Sequence, residues 1–115
     1  DEDAALPRLG HVYRRIEDTA NLGTSDSMLI IKGRMAWIEL KVAGPNAKPG
    51  MRPGQPGFGR QWLVAGGLAW VLVGHPDGSL RLLWGDTTDE DWRDQLVARY
   101  DKLTPDLLEY MVSNV

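Results

Sequence analysis

Apolar residues recur along this chain with two different periods, and the changes of period mark its elements. Leu6, Leu9, Tyr13 and Ile16 stand three and four apart, the spacing of one helical face. They predict a helix from about Ala5 to Asp18 in spite of Pro7 and Gly10, broken by Asn21-Leu22-Gly23-Thr24. Asp26 to Ile31 and Met35 to Val42 then read as two strands joined by the Lys32-Gly33-Arg34 turn, an antiparallel hairpin. Residues 44 to 57 are too rich in Gly and Pro for regular structure and read as a long, functional or mobile loop. Phe58, Trp62 and Leu63 mark a short helix from about Pro56 to Ala65, ended by Gly66-Gly67. A second hairpin follows, with strands Leu68–Gly74 and Ser79–Trp84 around the turn His75-Pro76-Asp77-Gly78. Thr87 with Glu90 resembles a capping box, and Trp92, Leu96, Tyr100 and Leu103 trace one helical face behind it. Thr104-Pro105-Asp106 starts a last helix, with Leu107, Leu108, Met111 and Val112 on its apolar side.

A helix between two strands of one sheet is a crossover, which makes those strands parallel, while each hairpin is antiparallel. The expected fold is therefore α/β, a mixed β-sheet flanked by helices. At 115 residues the chain fits one domain, residues 1–115, with one modest core. With 43% hydrophobic and 25% charged residues it has the composition of a soluble globular protein. No apolar run reaches membrane-spanning length and no signal peptide is visible, so the expectation is a soluble, cytoplasmic protein without membrane association.

Charge and residue types narrow the chemistry. The absence of cysteine excludes thiolate zinc sites and cysteine nucleophiles, and two histidines make a poor transition-metal site, so any metal would be held by oxygen. The net charge of -3 is unevenly spread. Residues 32 to 60 carry Lys32, Arg34, Lys41, Lys48, Arg52 and Arg60 against Glu39 alone, a local charge of +5, while the flanks are acidic. A basic centre suits a polyanionic partner, although solvated side chains on a loop would give the same count.

Within that centre, Trp37-Ile38-Glu39-Leu40-Lys41 places a carboxylate and an ammonium two residues apart on an otherwise apolar strand. Alternation sends Glu39 and Lys41 to one face and Ile38, Leu40 and Val42 to the other. Asp26, at the outer end of the preceding strand, and Glu17, near the end of the first predicted helix, are placed to converge on them. Such carboxylates, with a backbone carbonyl such as that of Leu40, suit Mg²⁺, a hard ion that keeps several waters. Lys41 beside it would orient a water or neutralise charge developing on a phosphate, which points to phosphodiester hydrolysis.

The chain resembles the PD-(D/E)XK nuclease superfamily, and within it the small virus-type replication and repair nucleases related to Holliday junction resolvases. The resemblance is carried by Arg15-Ile16-Glu17-Asp18, Gly23-Thr24-Ser25-Asp26, Trp37-Ile38-Glu39-Leu40-Lys41, Arg52-Pro53-Gly54-Gln55, Gly66-Gly67 and Ala69-Trp70-Val71-Leu72-Val73. It implies a restriction-endonuclease-like core of αβββαβ type. Asp26 and Glu39 look like its metal ligands, Lys41 its catalytic lysine, Glu17 an additional acidic residue and Gln55 the polar residue after the loop. Gln55 fits better than Gln61 in its Arg-Pro-x-Gln context and its distance to Gly66-Gly67. Ser25 stands where the family has proline, which leaves the ligand in place but removes a fixed φ before the strand. The implied activity is a Mg²⁺-dependent endodeoxyribonuclease, with Mn²⁺ able to substitute, selective for branched or Holliday junction DNA. Lys48, Arg52 and Gln55 would seat the phosphate backbone. Resemblance to resolvases further implies a homodimer, with the C-terminal helices as an interface, working in a bacterial or phage-infected cell.

Blander readings stand beside these. Glu-x-Lys alone is a common surface pattern and gains weight only from Asp26 and Glu17. Trp37 and Trp70 fit packing better than base stacking. His75, Asp77 and Ser79 lie too close in one turn to form a hydrolase triad, and the glycines at 54, 57 and 59 lack the lysine and hydroxyl of a phosphate-binding loop. The functional alternative is a nuclease-fold protein that binds structured nucleic acid or a partner protein without cutting.

Overall fold

A computed structural model describes residues 11–15 and 27–113. Six strands form one sheet, β1 (His11–Arg15), β2 (Ser27–Ile31), β3 (Arg34–Val42), β4 (Ala69–Gly74), β5 (Leu80–Trp84) and β6 (Leu96–Tyr100). Two helices accompany them, α1 (Gln55–Val64) between β3 and β4, and α2 (Pro105–Ser113) after β6. Spatial order follows chain order, β1-β2-β3-β4-β5-β6. β3 and β4 are parallel and every other neighbouring pair is antiparallel. The expected mixed α/β sheet is therefore the observed one, with α1 in the crossover. Among the described residues no helix is long and apolar enough to cross a membrane.

The alternation of side chains along β3 builds two layers. Ala36, Ile38 and Leu40 enter a core with Leu29, Ile31, Trp70, Leu72 and the α2 residues Leu107, Leu108, Met111 and Val112. Trp37 points the other way and meets α1 edge-on, with ring centroids 5.5 Å from Phe58 and 5.6 Å from Trp62. The helices thus cover opposite faces. Val71, Val73, Leu83 and Trp92 form a smaller core on the α1 side, joined by Ala43, Met51 and Leu96. Trp70 is fully buried, stacks on Trp84 at 4.5 Å and donates from Nε1 to the Met111 carbonyl at 2.7 Å, tying α2 to the sheet. Both tryptophans assigned to packing do pack.

Three expectations are corrected. Residues 11–15, expected in a helix from Ala5 to Asp18, form strand β1, paired with β2 from His11↔Ile31 to Arg15↔Ser27. Four apolar residues at helical spacing are weak beside a free strand edge that five residues can pair with. The remainder of that expected helix, Glu17 included, lies outside the described residues. Behind Thr87 there is one turn and then strand β6. The reciprocal cap is between Thr88 and Asp91, with the Thr88 N–H donating to Asp91 Oδ1 at 2.7 Å and the Asp91 N–H to Thr88 Oγ1 at 3.2 Å. The residues read as one helical face are divided, Trp92 and Leu96 joining the smaller core and Tyr100 the larger. The apolar side of α2 is spent inside the protein, so it is not an available dimer interface as expected.

α1 needs close contact with the sheet. A Cβ on Gly59 would stand 1.8 Å from the carbonyl oxygen of Gly85, so the helix reaches its position only with glycine there. Glycine inside a helix costs propensity, yet at this position it is what lets the helix dock.

Candidate active site

Glu39 and Lys41 share the α1 face of β3, as alternation requires, with Lys41 Nζ 3.7 Å from Glu39 Oε2. Glu39 is buried, 3% exposed, and the Lys41 side chain is mostly buried. In the parallel pairing they lie beside Val71 and Val73 of β4, so both charges are set into an apolar floor where pairing counts far more than at the surface.

Gln55, also 3% exposed, completes the cluster from the first residue of α1. Its Oε1 accepts from Lys41 Nζ at 2.9 Å and from the Arg52 N–H at 2.7 Å. Its Nε2 is buried without a hydrogen-bond partner, a donor costly to leave unmet. Gln61 is exposed on α1, so of the two glutamines weighed in the sequence, the structure brings only Gln55 to Lys41.

The backbone parity of β3 fixes where Leu40 points. Lys32 and Gly33, at φ 52° and 80°, make a two-residue turn, whose flanking pair Ile31↔Arg34 is hydrogen-bonded in both directions. Arg34, Ala36 and Ile38 then direct their peptide groups to β2, while Trp37 directs its own to β4, donating to the Leu68 carbonyl at 3.0 Å. Leu40 belongs to the first set. Its carbonyl points to the β2 side just beyond the pair Ser27↔Ile38, where the described part of β2 ends.

Asp26 and Glu17 lie outside the described residues. Ser27, which follows Asp26 in the chain, is fully buried. Among the described residues no group of three or more His, Cys, Asp or Glu is placed to hold a metal ion. The described part of the site supplies one buried carboxylate, Glu39, and one outward-directed carbonyl, Leu40. That all-oxygen set fits a hard cation that keeps much of its water, and fits no thiophilic metal.

The Gly/Pro-rich segment between β3 and α1, expected to be a long, functional or mobile loop, is held at many points. His75 Nδ1 lies 2.8 Å from the Ala43 carbonyl. Arg81 Nη2 donates to the carbonyls of Gly44 and Ala47 at 3.2 and 2.9 Å, and Arg99 Nη1 donates to that of Pro45 at 3.0 Å. Asp89 Oδ1 accepts from the N–H groups of Gly50 and Met51, both at 3.0 Å. Lys48 and Arg52 remain exposed on this fixed loop. Sequence reasoning missed Arg81, Arg99 and Asp89; nothing local marks them, because their partners lie from 34 to 54 residues away.

His75, Asp77 and Ser79 form no triad. The His75 ring is turned to Ala43, while Asp77 Oδ1 accepts from Ser79 Oγ at 2.6 Å and from its N–H at 2.9 Å. Those two bonds, the hydroxyl first, hold the Asp77 carboxyl below the usual range.

No family model matches the chain, and no curated protein matches it. Among solved structures, Hjc of Archaeoglobus fulgidus, a Holliday junction resolvase from an archaeal hyperthermophile, is similar at 15% identity and a TM-score of 0.49, over 70% of this chain and 69% of that one.

Proposed function

We propose that the chain is a metal-dependent endonuclease that hydrolyses phosphodiester bonds in DNA, with branched DNA as its preferred substrate. The observation that carries this reading is the contact of Lys41 with both Glu39 and Gln55, one buried carboxylate, one ammonium and one amide gathered from β3 and α1 on a single face. Glu39, with the Leu40 carbonyl and Asp26, would hold Mg²⁺, or Mn²⁺ in its place. Glu17 is the additional acidic residue. The bound ion would acidify water and neutralise phosphate charge.

The chain's own residues do the rest. Lys41, fixed by Gln55, presents its ammonium where negative charge grows on a phosphate oxygen, a donor already oriented before substrate arrives. The free Nε2 of Gln55 donates to the same anion. Lys48 and Arg52 hold the neighbouring phosphates of the strand, contacts that position DNA without reading its sequence.

The test is incubation of junction, flap, nicked and linear DNA with Mg²⁺ or Mn²⁺, beside Lys41→Ala and Asp26→Asn. Cutting by the wild-type chain and its loss in both variants is expected. Binding without any cutting would instead identify a non-cleaving nuclease-fold protein, and cutting that persists in both variants would assign the chemistry elsewhere.

A further inference from the structure

One row across the sheet is unusually basic. Lys41 of β3 neighbours Val73 of β4, Val73 is opposite Arg81 of β5, and Arg81 is opposite Arg99 of β6. Paired residues share a face, so three cations lie on the α1 face in a line from the candidate site to the sheet edge. The loop that leaves β3 runs over this row and gives it its backbone carbonyls.

Arg81 is the extreme member. It is 0% exposed, and the ion pairs found among the described residues, Lys32–Glu109 and Lys41–Glu39, do not include it. It lies 4.6 Å over the ring of Trp92 and has two carbonyl bonds, from one nitrogen, while Nε and Nη1 have none. Burial, and after it the charge of Arg99, holds its guanidinium below the usual arginine value. A buried cation so thinly compensated is a poor source of stability, and apolar replacements at such positions are often neutral or stabilising. What it does hold is the loop.

We propose that Arg81 is a positioning residue for DNA binding, clasping Gly44 and Ala47 so that the loop carries Lys48 and Arg52 in fixed register with Lys41 and Gln55. Arg99 is the outer half of the clasp, through Pro45 and through Asn46 Oδ1 at 3.5 Å. The inference deepens the nuclease reading at its substrate-binding side and rests on that reading for the identity of the ligand.

The separating variants are Arg81→Met, which keeps length and apolar contact with Trp92, and Arg99→Ala at an exposed side chain. Three readouts are taken: thermal midpoint, hydrogen exchange of the Ala47 N–H, which is bonded to the Gly44 carbonyl at 3.1 Å, and the salt dependence of binding to duplex DNA with Ca²⁺ in place of Mg²⁺. Arg81→Met is expected to keep or raise the midpoint, to lose protection at Ala47, and to flatten the slope of log K against log salt by about 2, the loss of two phosphate contacts at about 0.9 each. Arg99→Ala shifts exchange and slope the same way by less. Unchanged exchange in both variants overturns the clasp, and a loosened loop with an unchanged slope overturns its role in binding. Should Arg81→Met not fold, Arg99→Ala decides by the same two readouts. A wild-type chain that neither binds nor cuts DNA defeats the nuclease reading, while exchange still tests the clasp.

Discussion

Asp91 shows how much one side chain can organise where regular structure stops. Burial pushes its carboxyl upward, but bonds from the Thr88 N–H and hydroxyl, and from the Gln95 amide, outweigh it and leave the group below its usual value. A carboxyl lowered by folding contributes stability that is fully present above its unfolded value, about 3.9, and is lost as pH falls through the folded one. Asp91→Asn is therefore expected to melt below the wild type at pH 7, with the gap closing as pH drops below about 4. A gap independent of pH would show that the charge of Asp91 is not what matters. The pair Thr88 and Asp91 also explains why the capping-box reading of Thr87 and Glu90 fell one residue short. Thr87 is fully buried, its hydroxyl donating to the Trp84 carbonyl at 2.6 Å, a contact invisible without β5.

At the level of elements, the two glycines inside α1 make opposite demands. Nothing lies within 4 Å of a Cβ placed on Gly57, whereas one on Gly59 would strike the backbone of Gly85. Gly57→Ala should stabilise by about 1 kcal/mol through helix propensity, raising the melting temperature by roughly 4 °C. Gly59→Ala gains the same propensity but loses about 1–3 kcal/mol to overpacking, so calorimetry should show a net fall. Equal effects at both positions would refute the close docking of α1. The same contrast shows what could be read in advance. β2 to β5 and both described helices follow from period, turns and proline, because those signals are local. β1 and β6 are edge strands whose identity is decided by the neighbour they pair with, and a helical spacing of apolar residues in them misled. Glu39 and Lys41 were legible because strand alternation is a local rule, whereas Gln55 was reached only through the family resemblance, by its Arg-Pro-x-Gln context and its distance to Gly66-Gly67. The loop clasp was not, since no local rule joins Arg81 to Gly44.

For the whole molecule, cutting two opposed strands of a junction takes two active sites, so the nuclease reading leads to a homodimer. Light scattering with junction DNA present should give a protein component of twice the 12.8 kDa chain mass, and a persistent monomer would refute it. The interface is not the apolar side of α2, which is already buried in the core. The order of the sheet has a further consequence. Every strand pairs with its neighbour in sequence, and such pairings close shorter loops than pairings between strands remote in sequence. The segment from Ala43 to Leu68, with α1 inside it, is the long closure between β3 and β4. The entropy cost of closing that loop sets apart two meanders of the described sheet, β1 to β3 and β4 to β6. Lys41 stands on the first, Arg81 on the second, and Gln55 on the span between them. On the nuclease reading, the proposed site is therefore complete only once the halves have joined, and a chain in which they had not would have most of its hydrogen-bonded ladders and none of the proposed activity.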